Sequence, residues 1–241
     1  MTKLITASIL SLGLAASVNC QSVDSDNILT SGMYADISAT ADGRGETEIR
    51  TTLYLERPSS LNYIELEGGD LLTAFAPDGS RQIMRESQFL GITTYSADFD
   101  LDDGGTEFII AFTRDVDSGA PDSSVILPEA FDILNPQAET YSRDSDDIII
   151  DWAPTDSGDD VDIQITGGCI ESELIAVEGD PGTHTISAGT LVKLQGEGIA
   201  NACDLTVTIT KSAPGDLDPA YGFGGEIDGH QVRTLDVSST P

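Results

Sequence analysis

The chain has 241 residues, of which 42 are acidic and 11 basic, and its formal net charge at pH 7 is −31. Such a surface repels the phosphates of nucleic acids and anionic lipid headgroups, which excludes nucleic acid as a partner. A hydrophobic content of 39% still suffices for a packed core, so the charge does not imply disorder. Adaptation to salty water explains the acidity more simply than binding of divalent cations, because salt screens the repulsion between exposed carboxylates.

The first predicted element is an export signal over residues 1–19. Lys3 is its lone positive charge, and residues 4–16 form an uncharged run of small and apolar side chains. This run is shorter than the about 20 apolar residues that a permanent transmembrane helix needs. Small residues at 15–17 would also allow an ordinary signal peptidase to cut after Ser17, which would release a soluble secreted or periplasmic protein.

Cys20 follows the signal and is the predicted site of lipid attachment. The chain has three cysteines, and Cys169 and Cys203 fall in one predicted domain, where they can pair as a disulfide. An unpaired thiol is disfavoured in an oxidising compartment, and a thioether to diacylglycerol would account for the third cysteine. The segment SVNC at 17–20 resembles a bacterial lipobox, although its first and third residues depart from the usual ones.

The polar stretch after the cysteine completes a predicted lipidated tether over residues 20–32. By resemblance to sorted lipoproteins, Gln21 rather than an aspartate after the cysteine favours the outer membrane over the inner one. The protein would then face the periplasm or the exterior, and it would contact the membrane through its lipid anchor only.

Beyond the tether, almost every apolar segment alternates with a period of two, which is typical of strands with one buried face. Examples are EIRTTLYLE (48–56), EFIIAFTR (107–114) and DLTVTIT (204–210). Turns rich in glycine and aspartate separate the runs, such as PDGS at 77–80 and DDGG at 102–105. The pattern predicts an all-β protein with two antiparallel β-sandwich domains in tandem.

A stretch rich in serine, glycine and proline marks the predicted boundary between the sandwiches. The first β-sandwich domain is expected over 33–118, a linker over 119–128, and the second domain over 129–241. The last thirty residues begin with turn signals and end in a possible strand, so we expect a C-terminal loop and an edge strand of the second sheet there. Tyr221 and Phe223 are expected to anchor that loop on the sandwich.

The only tryptophan lies in the second domain. A proline-punctuated lead-in runs into a strand whose inward face carries Ile148, Ile150 and Trp152. These residues resemble an immunoglobulin-like or fibronectin-III-like module, in which a strand with a core tryptophan follows such an entry. Most of the mature chain resembles bacterial envelope lipoproteins with two such domains, and this resemblance implies no activity. Because Trp152 precedes both later cysteines, a Cys169–Cys203 bridge would staple two loops rather than join two sheets.

The sequence offers little for catalysis. Its histidines are His184, at the beginning of a strand, and His230, in the C-terminal loop, and no GxSxG, HExxH or phosphate-binding glycine loop occurs. Carboxylates for a glycosidase are plentiful, but sugar clefts are usually lined by several aromatic side chains. We assign no catalytic residue and keep a secreted hydrolase with a site assembled from distant residues as an alternative.

Calcium is the best supported of the specific ligands. The segment DFDLDDGG (98–105) resembles an EF-hand loop, but alternation places its carboxylates on a solvated strand face and the distal glutamate is missing. The segment PTDSGDDVD joins two predicted strands, and loop carboxylates can converge on a cation. The candidate metal ligands, weighed against a simple acidic loop, are Asp156, Asp159, Asp160 and Asp162.

These observations favour a lipid-anchored cell-envelope protein that acts as a structural or interaction module. Its expected partner is an envelope protein or a surface glycan, met by loops or by an edge strand. A calcium- or saccharide-binding module is the first alternative, and a secreted hydrolase is the second. No cofactor is predicted other than Ca²⁺ in the first alternative.

Overall fold

A computed structural model describes residues 21–137, 140–155 and 157–241, and of Gln21 it describes the backbone. The predicted signal at 1–19, the predicted lipidation site Cys20 and the predicted ligand Asp156 lie outside these residues. The described residues form three short 3₁₀ turns, Ser25–Asn27, Thr30–Gly32 and Pro58–Ser60. They also form eighteen strands: β1 Gln21–Asp24, β2 Met33–Ala41, β3 Thr47–Leu55, β4 Asn62–Glu65, β5 Leu71–Phe75, β6 Arg81–Ile83, β7 Arg85–Phe89, β8 Ile92–Phe99, β9 Glu107–Thr113, β10 Ala120–Ile126, β11 Asp132–Asn135, β12 Thr140–Ser142, β13 Ile148–Ala153, β14 Asp160–Gly167, β15 Glu173–Val177, β16 Thr183–Ile186, β17 Cys203–Pro214 and β18 Gly225–Thr240.

The strands assemble into three sheets that enclose two hydrophobic cores. Sheet A has the order β1-β4-β3-β2-β18-β17-β14-β15, with β7 and β8 joining at β3 and β12 joining at β18. Sheet B has the order β10-β9-β5-β6, and sheet C has the order β11-β13-β16. The first core lies between sheet B and the first strands of sheet A, and the second lies between sheet C and β14, β17 and β18. The predicted all-β sandwich fold is confirmed.

Alternation of side chains builds both cores as the sequence predicts. In β2 every odd-numbered residue from Met33 to Ala41 is buried and every even-numbered one is partly exposed. Strand β17 repeats the pattern with Leu205, Val207 and Ile209 inward. Each such aliphatic side chain contributes about 1.5–3 kcal/mol when it is fully removed from water. Trp152 is buried in the second core.

The C-terminal strand differs from the predicted edge strand at 231–237. Strand β18 has sixteen residues and lies inside sheet A. It pairs antiparallel with β17 over the full length of β17, and its first part pairs parallel with β2. Its first part contains Gly225, Asp228 and Gly229, which conceal the strand before position 231 in the sequence. Gly229 is required there, since a Cβ would lie 2.5 Å from the carbonyl oxygen of Ile126. One strand therefore connects the two halves of the molecule.

Residues 119–128, predicted as a linker, belong instead to the first sandwich. They contain β10, which pairs antiparallel with β9 and has an irregular register between Ala120 and Ser123. Ser123, Val125 and Leu127 are buried on its inner face. A serine and a proline within this short alternation make the strand resemble a linker in the sequence.

Residues 21–32, predicted as a tether, are also packed against the body. Strand β1 pairs parallel with β4, and Ser25 and Thr30 are buried. The guanidinium of Arg114 holds this N-terminal segment, and its donors reach the backbone oxygens of Ser25 and Ile28. The polar composition of this segment predicted that water surrounds it. Its backbone carbonyls are instead hydrogen-bonded by Arg114, which is distant in the sequence.

Candidate functional site

A cleft of about 630 Å³ opens between the two halves of the molecule. Its walls are the end of β10, the end of β17 with the turn that follows, and the loop that precedes β14. Four of its lining residues are acidic, and the others are small, aliphatic or proline; the acidic ones are Glu107, Glu129, Asp159 and Asp216. The cleft therefore combines backbone groups, apolar surface and negative charge in one recess.

Backbone hydrogen bonds fix one wall of the cleft. The amide of Ser124 donates to the carbonyl of Asp216 at 2.9 Å, and the amide of Asp216 donates to the carbonyl of Ser124 at 2.8 Å. The carboxylate of Asp218 accepts the amide of Asp122 at 2.9 Å. This bridge joins the β17–β18 loop to the outer edge of sheet B, so the wall is rigid. Gly215 permits the contact, because a Cβ there would meet the Ser124 carbonyl.

A buried ion pair supports the opposite wall. Lys211 Nζ lies 2.6 Å from Asp180 Oδ2, and both side chains are fully buried. Lys211 also donates to the carbonyl of Pro154 at 2.8 Å, and Ser157 Oγ donates to Asp180 at 2.8 Å. Trp152 Nε1 donates to the other carboxylate oxygen at 2.6 Å. The buried ammonium group of Lys211 thus holds the loop that carries the predicted metal ligands, through Pro154 and through Asp180.

Burial alone would raise the pKa of Asp180. The hydrogen bonds from Lys211, Trp152 and Ser157 outweigh burial, so the pKa lies below its ordinary value. The carboxylate is therefore ionised at neutral pH and is matched by the Lys211 ammonium, as a buried charge requires.

The predicted metal ligands lie on different surfaces. Asp159 lines the cleft, whereas Asp160 and Asp162 project from the exposed face of β14. Among residues 21–137, 140–155 and 157–241, no three or more His, Cys, Asp or Glu side chains are grouped closely enough to hold a metal ion. With Asp156 outside those ranges, calcium binding by this loop stays a prediction.

The EF-hand-like segment takes part in local contacts. Asp98 forms an exposed ion pair with Arg85 at 2.5 Å, and Asp102 accepts the amide of Gly45 at 2.8 Å. These carboxylates stabilise a hairpin and a turn, as a solvated strand face would predict.

The two histidines occupy separate sheets. His184 lies on β16 in sheet C, opposite Ile150. His230 lies on β18, directly across from Ser212, and its Nδ1 is 2.8 Å from the Ser212 hydroxyl. Burial lowers the pKa of His230, and the nearby Asp228 carboxylate partly offsets this effect. Neither Ser212 nor His230 lines the cleft, so this serine–histidine pair lies on a sheet face away from the recess.

The later two cysteines form the expected disulfide. Cys169 and Cys203 are joined with an S–S distance of 2.12 Å and a Cα–Cα distance of 5.8 Å, at the end of the second core. Arg143 is buried beside them and donates to Ser239 Oγ at 2.8 Å and to the carbonyl of Asn201 at 2.7 Å. Two of the three cysteines are therefore oxidised in a disulfide and carry no free thiol.

The N-terminal segment is fastened by a second buried cation. Arg114 Nε lies 2.8 Å from Asp70 Oδ2, with both side chains buried, and a further nitrogen lies 3.5 Å from Asp117 Oδ2. Asp117 also accepts the Thr30 amide at 2.7 Å, and this hydrogen bond is the main reason that its pKa is lowered. The chain is thus held against the sandwich from the first residues after Cys20.

No helix in the described part of the chain is both long enough and apolar enough to cross a membrane. No protein-family model matches the sequence, and no curated protein matches it.

Several solved structures share a distant likeness. One contains fibronectin domains FN1–FN3 of chicken CNTN1, with 10% identity, 86% of this chain and 66% of that chain covered, and a TM-score of 0.32. Another is the Yersinia pseudotuberculosis adhesin InvE, with 9% identity, 87% and 59% covered, and a TM-score of 0.24. A third is the calcium-binding domain CBD12 of CALX1.1, with 9% identity, 83% and 98% covered, and a TM-score of 0.22. The chain spans less than two thirds of the first two, and at these scores the likenesses imply nothing about function.

Proposed function

We propose that the chain is a lipid-anchored cell-envelope module that is attached through Cys20 and offers its cleft to another envelope protein. The observation that carries this proposal is the Cys169–Cys203 disulfide. A disulfide favours an oxidising compartment, and it leaves Cys20 as the one cysteine that acylation could use.

The N-terminal contacts support the same proposal. The segment after Cys20 is packed on the body, since the guanidinium of Arg114 donates to the carbonyl oxygens of Ser25 and Ile28. Arg114 connects the segment after Cys20 to Asp70 of the first sandwich. The lipid would therefore hold a rigid body rather than a loosely tethered one.

The lining of the cleft favours a protein segment over a glycan as partner. Sugar-binding clefts usually carry aromatic side chains for stacking, and the described lining of this cleft includes none. Its exposed aliphatic residue Ile126, its prolines and its carboxylates suit a short peptide that presents apolar and basic side chains. Such a partner would gain from the −31 charge of the chain as well.

Site-specific photo-cross-linking tests the role of the cleft. A photoreactive residue at Glu129, in the cleft, is expected to trap a discrete envelope protein in intact cells. The same residue at Asp144, an exposed acid outside the cleft, is the matched control and is expected to trap none. Equal products from both positions, or none from either, would contradict the proposal. Cys20→Ala is expected to move the protein from the membrane to the soluble fraction.

Calcium binding by the loop of Asp156, Asp159 and Asp160 is the second candidate, because Asp159 lines the cleft. Calcium bound at 100 times its dissociation constant would stabilise the fold by about 2.7 kcal/mol. A rise in melting temperature with millimolar Ca²⁺ that Mg²⁺ does not reproduce supports this candidate. An unchanged melting temperature eliminates it.

A further inference from the structure

The hairpin between β7 and β8 ends in an unusual exposed apolar tip. Phe89 is 73% exposed and Leu90 is 79% exposed, and Ile92 follows them. The turn itself is Leu90-Gly91, with φ angles of 51° and 81°. Hairpin turns of this type favour Asn-Gly, because a branched or bulky residue is strained at positive φ. A leucine at this position destabilises the fold through its strained backbone, and its apolar side chain is exposed to water. This combination indicates that Leu90 contacts another molecule or surface.

The strained residues of the chain gather at one end of sheet A. In the described residues, the non-glycine positions with positive φ are Glu56, Leu61 and Leu90. Strand β3 ends at Leu55, and both β8 and β4 run antiparallel to it, so they begin at that same end. Leu61, directly before β4, is 41% exposed. Two exposed leucines with left-handed backbone thus share one end of the sheet.

Strand β1 begins at this end too. Strand β1 is parallel to β4, and Gln21 pairs with Asn62, the neighbour of Leu61. Gln21 directly follows Cys20 in the sequence. The β17–β18 loop adds Phe223, which is 46% exposed and whose amide donates to the carbonyl of Met33 at the start of β2. We name Leu61, Phe89, Leu90 and Phe223 the apolar tip.

The charge distribution favours a lipid surface as the occupant. The chain carries 42 acidic residues, yet residues 87–97 contain none, and residues 57–63 contain none and include Arg57. The two turns themselves thus carry no carboxylate, which lowers the repulsion that would oppose their approach to a bilayer. Aromatic and aliphatic side chains beside a lipid anchor add apolar area that can be buried at the membrane interface, which would fix the orientation of the anchored body.

We propose that the apolar tip inserts into the membrane interface and holds the molecule end-on; this inference rests on the proposed anchoring through Cys20. The orientation follows from β18, which begins at the tip end and runs away from it for sixteen residues, or about 50 Å. The cleft and the second sandwich would then stand away from the bilayer, open to a partner.

Lipid quenching of a tryptophan placed at the tip tests the proposal. The chain from Cys20 onward is coupled through that cysteine to a maleimide phospholipid in phosphatidylcholine vesicles that contain brominated lipid. Phe89→Trp is expected to lose most of its added emission. Leu174→Trp, which is 66% exposed on β15 in the second half, is the matched control and is expected to keep it. Trp152 is buried and gives the constant background.

Two results would overturn the proposal. Equal emission with and without brominated lipid in Phe89→Trp shows that the tip stays in water, and quenching of both variants shows that the body has no fixed orientation. A tip covered by a second copy would give the first result together with dimers in sedimentation that Phe89→Ser/Leu90→Asn abolishes. Chemical coupling makes this test independent of acylation in cells, so a failure here and a failure of the proposed anchor are separate outcomes.

Discussion

Asp180 and Lys211 form an ion pair with a nitrogen–oxygen distance of 2.6 Å inside the second core, where both side chains are fully buried. The two residues come from a loop and from the inward face of β17, and together they hold the loop that forms one wall of the cleft. Breaking such a pair by removing one partner leaves an uncompensated buried charge, whereas replacing both partners by apolar groups does not.

Lys211→Met is therefore expected to destabilise the fold by about 3–5 kcal/mol. The carboxylate of Asp180 would lose its counter-ion while it stays buried. Urea denaturation followed by Trp152 fluorescence measures the change, because the Trp152 ring nitrogen donates to this carboxylate. Lys193→Met removes an exposed lysine that bonds Asn201 and is the control, with an expected loss below about 1 kcal/mol.

The double variant Lys211→Met/Asp180→Leu separates charge from packing. It is expected to recover most of the stability lost in Lys211→Met, because no buried charge remains unpaired. If the double variant is as unstable as Lys211→Met, the loss of stability comes from the lost packing of the lysine side chain and not from the unpaired charge of Asp180.

His230 predicts a pH dependence of stability. Burial lowers its pKa in the folded chain, so the unfolded chain binds a proton more readily. Stability is then complete above the ordinary histidine pKa of about 6.5 and falls as the pH decreases through the lower folded value. Thermal melts from pH 7.5 to 5 in His230→Gln are expected to lose this slope. His184→Gln is the control, and if it alone removes the slope, the assignment to His230 is wrong.

The carboxylate of Asp36 is expected to destabilise the fold, because neighbouring carboxylates repel it. Burial first, and then the carboxylates of Glu226 and Asp228, raise its pKa. Ionisation of Asp36 therefore costs stability, which decreases as the pH rises from the ordinary carboxyl pKa through the folded value. Asp36→Asn should raise stability at pH 7 by roughly 0.2–1 kcal/mol, as removal of a like-charge cross-strand contact does.

Salt checks the origin of that gain. The increase in melting temperature for Asp36→Asn is expected to shrink in 1 M NaCl, since screening already weakens the repulsion. Asp236→Asn, an exposed β18 carboxylate that accepts a hydrogen bond from Thr206, is the control and should not stabilise the chain. A gain that salt leaves unchanged would point to packing rather than to charge.

Arg114→Gln is expected to release the N-terminal segment. Asp70 would keep a buried charge without its partner, and the carbonyls of Ser25 and Ile28 would lose their donor. Hydrogen exchange should accelerate in residues 21–32 by much more than in β17. Arg85→Gln, which breaks an exposed ion pair with Asp98, is the matched control. Unaltered protection of residues 21–32 would show that β1 pairing alone holds the segment.

The sequence predicted the fold wherever inward residues were apolar. Strands β2 and β17 alternate regularly, and the disulfide followed from the count of cysteines and their location in one domain. The prediction was weakest where a strand carries glycine or polar residues inward. The first part of β18 carries Gly225, Asp228 and Gly229, so the sequence predicted only the shorter strand at 231–237.

The buried cations were missed for a physical reason. Apart from Asp117, which lies three residues from Arg114, the partners of Arg114, Arg143 and Lys211 are 26 to 96 residues away, and sequence spacing does not reveal such contacts. Lys211 did leave a signal, because it continues the odd-numbered inward positions of β17 after Ile209. The cleft gave no signal, since its walls come from both halves and its lining is mostly loop.

The most direct test of the account is mass spectrometry of the mature N-terminal peptide from the membrane fraction. We predict a peptide that begins at Cys20 and carries the mass of a diacylglyceryl group on its sulfur. A peptide that begins at Val18, from protein found wholly in the aqueous phase, would contradict the lipid-anchored module.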